Sequence, residues 1–482
     1  MHKYTLGLLA LFILPLLLGG CGAPPPSPTL SPPSLRQETS PPETPTPVPA
    51  PSPTTTPDPL ADLTAALEGL SFQEFMQVSY RQLLARDPEQ VISLGLSQEI
   101  LQGEMQFTDI SPAYQKVTYQ LQNEILDQLR GYERQELNQA EQIAYDTYEW
   151  YLNDAVTGYQ FRYYSYPITH LVVSQPYRLI HLFQQGIPVQ DLSQAKTYLA
   201  QLARVEEKLS QLEVFLEIQK EQGITAPKYI YRLALQPIAE IAHASPSRTP
   251  FYQSLEEQLS PLSSIPPDQK TELLSAAKKE IEDSILPAFL SLEETIRAYH
   301  DQGSDQLGVW QHPDGGDYYR YLIQHHTTTN MTPGDIHELG KRELNRIHGE
   351  MEVLFAQLGY PEEESLSKRF TRVANDGGHV FGEEIVAAYQ TLIANARPAI
   401  EPYFALQPET EVVVRGGPIG DFYIPPPLDG SHPGYFYATV YGKEPTYAMP
   451  TLVYHETIPG HHFQIALARE SENLTLFQRT VQ

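Results

Sequence analysis

The residues best suited to chemistry stand together near the C-terminal end, in the run Tyr454-His455-Glu456-Thr457-Ile458-Pro459-Gly460-His461-His462-Phe463-Gln464. Three imidazoles and a carboxylate so close together are the groups zinc hydrolysis needs: neutral nitrogens for the ion, an open position for water, and a carboxylate to take its proton. In the usual helical form the two histidines sit four residues apart on one face. Here the residue four after His455 is Pro459, so that spacing is absent. On an unbroken helix His455 and His462 would lie about 10.5 Å apart along the axis, and His461 would point about 120° away from His455. Neither pair could then share a tetrahedral ion. A bulge or broken turn at Pro459-Gly460 would return His461 or His462 towards His455, because proline beside glycine is where helices break. The motif therefore predicts a local distortion. The competing reading, a helix cap or core histidines, suits the sequence poorly, since a charged glutamate beside three imidazoles makes a bad apolar core.

Other residues are weaker candidates. His325-His326-Thr327-Thr328-Thr329 is a candidate lining of a cleft, with His326 as an alternative ligand. Tyr423, Tyr435 and Tyr437 could donate to an oxyanion or bind a substrate backbone beside a strand, against the plainer reading as packing aromatics. His337-Glu338 imitates the zinc motif, but the residue four after His337 is Lys341, so it reads as helix surface.

Most of the chain that must position these groups reads as long helices with legible ends. Ser71-Phe72-Gln73-Glu74 is a capping box, and its helix must stop near Asp87-Pro88. Ser111-Pro112 opens another that runs to Gly131. Asp191 to Gly223 keeps apolar residues at spacings of three and four and closes on glycine, and Asp268 to Gly303 continues the pattern with a kink expected at Pro287. Thr332-Pro333-Gly334-Asp335 starts a helix whose buried stripe should be Ile336, Leu339, Leu344, Ile347, Met351, Leu354, Phe355 and Leu358. Strand signals come late, at Glu411 to Arg415 and Gly434 to Val440. The expected fold is mostly α, a large multi-helix body with a small late β-sheet next to the helix that carries the histidines.

The N-terminus has a different composition. A charged start, the apolar run Leu6 to Leu18 and small residues before Cys21 make residues 1–20 a secretory leader, too short to span a bilayer. The pair Gly19-Gly20 before Cys21 resembles a bacterial lipobox, in which that cysteine becomes the lipidated N-terminus. Cys21 is the one cysteine of the chain, so disulfides, thiolate ligands and a cysteine nucleophile are excluded from the body. Residues 21–59 are dominated by Pro, Ser and Thr and should form a semi-rigid tether, leaving residues 60–482 as the body. A net charge of -27 repels phosphates and anionic headgroups, which excludes nucleic acid as a partner and leaves lipid to hold the chain to a membrane.

The run Tyr454 to Gln464, preceded by Tyr423 to Val440, is similar to the signature of the bacterial domain-of-unknown-function family 885, placed among gluzincin-type metallopeptidases. Trp310 to Gly340 resembles a second stretch of the same family. The resemblance implies a zinc-dependent peptidase or amide hydrolase of the cell envelope, with His455 and His461 as metal ligands, Glu456 as general base and His462 in support. It also implies a third ligand, a glutamate on a later helix in a Glu-Gly-Trp pattern. The chain reaches Gln482 without that pattern, so it is expected to be incomplete at its C-terminus. Glu470 and Glu472 follow too closely on the same helix to replace the missing ligand. The alternative function is a non-catalytic envelope lipoprotein that binds a peptide or metal on the same fold.

Overall fold

A computed structural model describes residues 60–102, 106–171, 174–418 and 420–481. The leader, Cys21 and the tether lie outside the described residues. The described residues are mostly helical, with five short strands among them. No described helix is long and apolar enough to cross a membrane.

Local signals place most helix ends. The Ser71 hydroxyl accepts the Glu74 N–H and the Glu74 carboxylate accepts the Ser71 N–H, which opens Phe72–Ala85, and Pro88 begins the next helix. Ser111 caps Pro112–Leu129. The stretch after Asp191 is two helices, Leu192–Leu202 and Val205–Glu221, with the break at Ala203-Arg204, so the continuous apolar spacing does not make one rod. The distortion expected near Pro287 is a π-helical turn, Ile281–Ile285, between Pro267–Glu280 and Leu286–Gln302. Proline has no N–H for the ladder, and the wider turn just ahead of it absorbs the mismatch.

These helices build two apolar cores. One lies among Phe72–Ala85, Pro112–Leu129 and Gln139–Gly158, and Leu476 and Phe477 from the far end of the chain close it. The other spans the helices from Leu192 to Gln302. An ion pair ties the two regions: Lys208 Nζ lies 2.8 Å from Glu89 Oε1, and both side chains are buried.

A third core carries the late sheet. β2 (Val412–Gly417) pairs in parallel with β4 (Gly434–Thr439), Val412 opposite Gly434 through Gly417 opposite Thr439, and β3 (Phe422–Ile424) pairs antiparallel on the other side of β4. A separate ribbon joins β1 (His379–Phe381) to β5 (Lys443–Pro445). The strands β1, β3 and β5 are three residues each, too short to leave an alternating signal. Val414, Phe436 and Ala438 pack with Ile385, Tyr389 and Ile393 of the helix Glu384–Ile400 and with Val453, Ile458 and Phe463 beside the histidines.

One expectation is overturned. Thr332 does cap a helix, Pro333–Gln357, but of its predicted stripe only Phe355 is buried. Leu344, Leu354 and Leu358 are each more than half exposed, Leu339 and Ile347 are exposed, and Ile336 and Met351 are intermediate. Phe355 packs on Phe370 under the Arg369 guanidinium, which is paired with Glu352. The spacing correctly marks an amphipathic helix, but periodicity reports a face and not whether a neighbour covers it.

Candidate metal centre

The helix Met449–Glu456 ends one residue after His455, and a new helix begins at His461. Between them Thr457 keeps the helical bond to the Val453 carbonyl at 2.9 Å, while Ile458, almost fully buried, anchors the turn in the third core. The Ile458-Pro459 bond is cis, and residues 457–460 bend between the two helices. Gly460 is required by close approach: a Cβ there would sit 1.8 Å from the His455 carbonyl oxygen and 2.4 Å from that of Tyr454. The break thus falls where proline and glycine stand, and it turns two faces of one imagined helix towards each other.

The residue returned to His455 is His461. Their rings lie 4.7 Å apart at 75° to one another. One ligand atom from each of His455, Glu456 and His461 falls within 4.8 Å of the others. Both imidazoles are exposed, whereas Glu456 is buried. Burial lifts the Glu456 carboxyl above its usual pKa, opposed by His461 and His455 and reinforced by the negative charge of Asp421. Two imidazoles and a carboxylate converging from the ends of two helices are a donor set of the kind zinc takes.

His462 lies outside this cluster and is completely buried. Its Nε2 lies 3.0 Å from the Thr410 carbonyl oxygen, and its Nδ1 lies 2.9 Å from the Tyr423 hydroxyl. A carbonyl can only accept, so Nε2 carries the hydrogen and Nδ1 accepts from Tyr423. Burial pushes the His462 pKa down to about 4, which keeps the ring neutral. Tyr423, whose own pKa burial raises, therefore has its hydrogen committed to His462. Gly434 permits this meeting, because a Cβ there would lie 2.6 Å from the Tyr423 hydroxyl and 2.7 Å from Nδ1. Two turns on, Glu470 accepts the N–H groups of Glu409 and Thr410, both at 2.8 Å. His462 and Glu470 together clamp the helix His461–Glu470 to the residues leading into β2.

The other candidates are placed elsewhere. Tyr437 stacks on Phe422, with its hydroxyl 3.5 Å from Arg415 Nη1, and Tyr435 lies beneath the same guanidinium at 3.6 Å. His325 Nδ1 is 2.8 Å from Asp154 Oδ2, and His326 stacks edge-on against His325 on the surface without joining the metal-type cluster. Asp421 was not singled out by the sequence. It sits at a φ of 69° and accepts the Thr439 N–H, and only the turn geometry brings its charge to bear on Glu456.

The fold is shared with solved structures. A protein of Colwellia psychrerythraea inferred to be a lipoprotein aligns with a TM-score of 0.73 at 19% identity over 88% of this chain and 74% of its own. A protein of Shewanella oneidensis, inferred to be a lipoprotein and of unknown function, aligns with a TM-score of 0.59 at 16% identity over 86% of this chain and 74% of its own. No functionally curated protein matches the chain. The profile of the bacterial proteins of unknown function called DUF885 matches residues 88–482, and the chain belongs to that family.

Proposed function

We propose that this chain carries the centre of a zinc-dependent hydrolase of peptides or related amides, working in the cell envelope from a lipid anchor at Cys21. The observation that carries this reading is the convergence of His455, Glu456 and His461 across a helix break, with a buried carboxylate behind two exposed imidazoles. His455 and His461 would hold the ion. When bound, zinc lowers the pKa of a coordinated water towards about 7 and polarises a carbonyl. Glu456 would take the proton of the attacking water and pass it to the leaving nitrogen, a role suited to a carboxyl whose pKa burial has raised. His462, Tyr423 and Glu470 hold the second helix in place, so that His461 stays aligned. Catalytic zinc commonly takes three protein ligands, of which His455 and His461 would supply two. The lipobox-like Gly19-Gly20-Cys21 and the lipoprotein assignment of the two structural neighbours support the envelope location.

The test uses protein made from the complete gene, with zinc measured by elemental analysis and turnover on a fluorogenic peptide mixture. Glu456→Gln should keep the metal and lose nearly all turnover, and His455→Ala should lose the metal. Full turnover in Glu456→Gln would remove the mechanism. Stoichiometric zinc with no hydrolysis by that protein would favour the non-catalytic binding protein.

A further inference from the structure

A cavity of about 450 Å³ opens among the helices Phe72–Ala85, Pro112–Leu129 and Gln139–Gly158, and none of His455, Glu456 and His461 lines it. Two arginines in its wall lack a carboxylate partner among the described residues. The Arg86 guanidinium lies over the Tyr114 ring at 3.7 Å, donates from Nε to Thr118 Oγ1 at 2.6 Å and from Nη2 to the Tyr114 carbonyl at 2.9 Å, and makes no hydrogen bond from Nη1 among the described residues. Arg162 lies over the rings of Tyr159 and Tyr163 and donates from Nη1 to the Tyr159 carbonyl at 2.9 Å. The two arginines thus bring two positive charges to one cavity wall.

One oxygen of each nearby acid is engaged elsewhere. Asp87 Oδ1 accepts the Gln90 N–H and the Thr108 hydroxyl, and Asp109 Oδ1 accepts the Ser111 N–H. Burial pulls the Arg86 pKa below its usual value even though Asp109 and Tyr114 oppose the shift, so the cation is short of compensating charge. A desolvated guanidinium without an anion is costly, and a bound anion removes the cost. Tyr151 adds a hydroxyl with no partner among the described residues, and Tyr80, Tyr114 and Tyr159 supply aromatic wall. Asp87 and Asp109 keep enough negative charge at hand to disfavour a dianion.

We propose that this cavity is a binding site for a small monocarboxylate with an aromatic or apolar body, its carboxylate held by Arg86 and Arg162 and its body against the tyrosines. The proposal is independent of the metal centre. Its test titrates the full chain, in the presence of a chelator, with phenylacetate, phenylacetamide and inorganic phosphate by saturation-transfer NMR. Phenylacetate should bind in the millimolar range, phenylacetamide should bind at least about tenfold more weakly, and phosphate should not displace phenylacetate. Arg86→Gln should weaken phenylacetate at least about tenfold. Because Arg86 also ties Tyr114 and Thr118, Tyr151→Phe serves as a second variant that breaks no hydrogen bond among the described residues, and it should weaken binding by about threefold to tenfold. Equal binding of phenylacetate and phenylacetamide, displacement by phosphate, no binding by the unaltered chain, or undiminished binding by folded Arg86→Gln and Tyr151→Phe would each overturn it.

Discussion

Replacing His462 with alanine should damage the fold and weaken metal binding without abolishing it, and the size of the damage to the fold can be worked out from its contacts. The ring is completely buried and satisfies two groups, the Tyr423 hydroxyl at 2.9 Å and the Thr410 carbonyl at 3.0 Å. Leaving a buried hydroxyl without a partner costs about 1–3 kcal/mol, and emptying a fully buried side-chain site adds about 2 kcal/mol, for a total of about 3–5 kcal/mol. A body of this size should unfold in urea with a slope of about 4 kcal/mol per molar, so the midpoint should fall by about 1 M. The assay is equilibrium urea unfolding followed by tyrosine and tryptophan fluorescence, with a chelator present so that metal affinity does not enter. His461→Ala is the control: its ring is exposed, so the midpoint in chelator should hardly move, whereas zinc should no longer bind. Zinc binding by His462→Ala should weaken by about 10 to 100-fold, as expected for a support behind the ligands. An unshifted midpoint for His462→Ala together with complete loss of zinc would refute the assignment and make His462 the ligand.

Three further outcomes are expected. Gly460→Ala forces a Cβ to within 1.8 Å of the His455 carbonyl oxygen, so the turn must open by more than about 1 Å; the proposed turnover should fall at least about 100-fold, and the fall should persist at saturating zinc. Lys208→Met leaves Glu89 charged and buried and should cost about 3–5 kcal/mol by urea unfolding, of which Glu89→Gln in the same chain should restore a large part. Cys21→Ala should abolish labelling by a palmitate analogue and release the body from membranes, as read by fractionation of labelled cells.

Helix ends were legible in the sequence wherever a side chain meets a backbone donor one turn away, as at Ser71, Ser111 and Thr332, because that chemistry is local. So was the break at Pro459-Gly460. Which imidazole the break returns was not legible, because the answer depends on Gly460 nesting under the His455 carbonyl and on Ile458 entering the core, both tertiary facts. The work of His462 and Glu470 was hidden for the same reason: their partners, Tyr423, Glu409 and Thr410, lie 39 to 61 residues away along the chain. The stripe of the Pro333–Gln357 helix was legible as a stripe and misread as core.

That stripe has a consequence for how copies of the molecule behave towards one another. Leu344, Ile347, Met351, Leu354 and Leu358 follow steps of three and four, the rhythm of a coiled-coil seam, and four of them stand in water. Such a surface is cohesive, and what opposes cohesion between copies is mutual repulsion from a net charge of -27. Repulsion of this kind reaches about 30 Å at 0.01 M salt and only about 3 Å at 1 M. Ionic strength should therefore act on this face: dilute buffer should keep copies apart, and concentrated sulfate, which also strengthens apolar association, should draw them together.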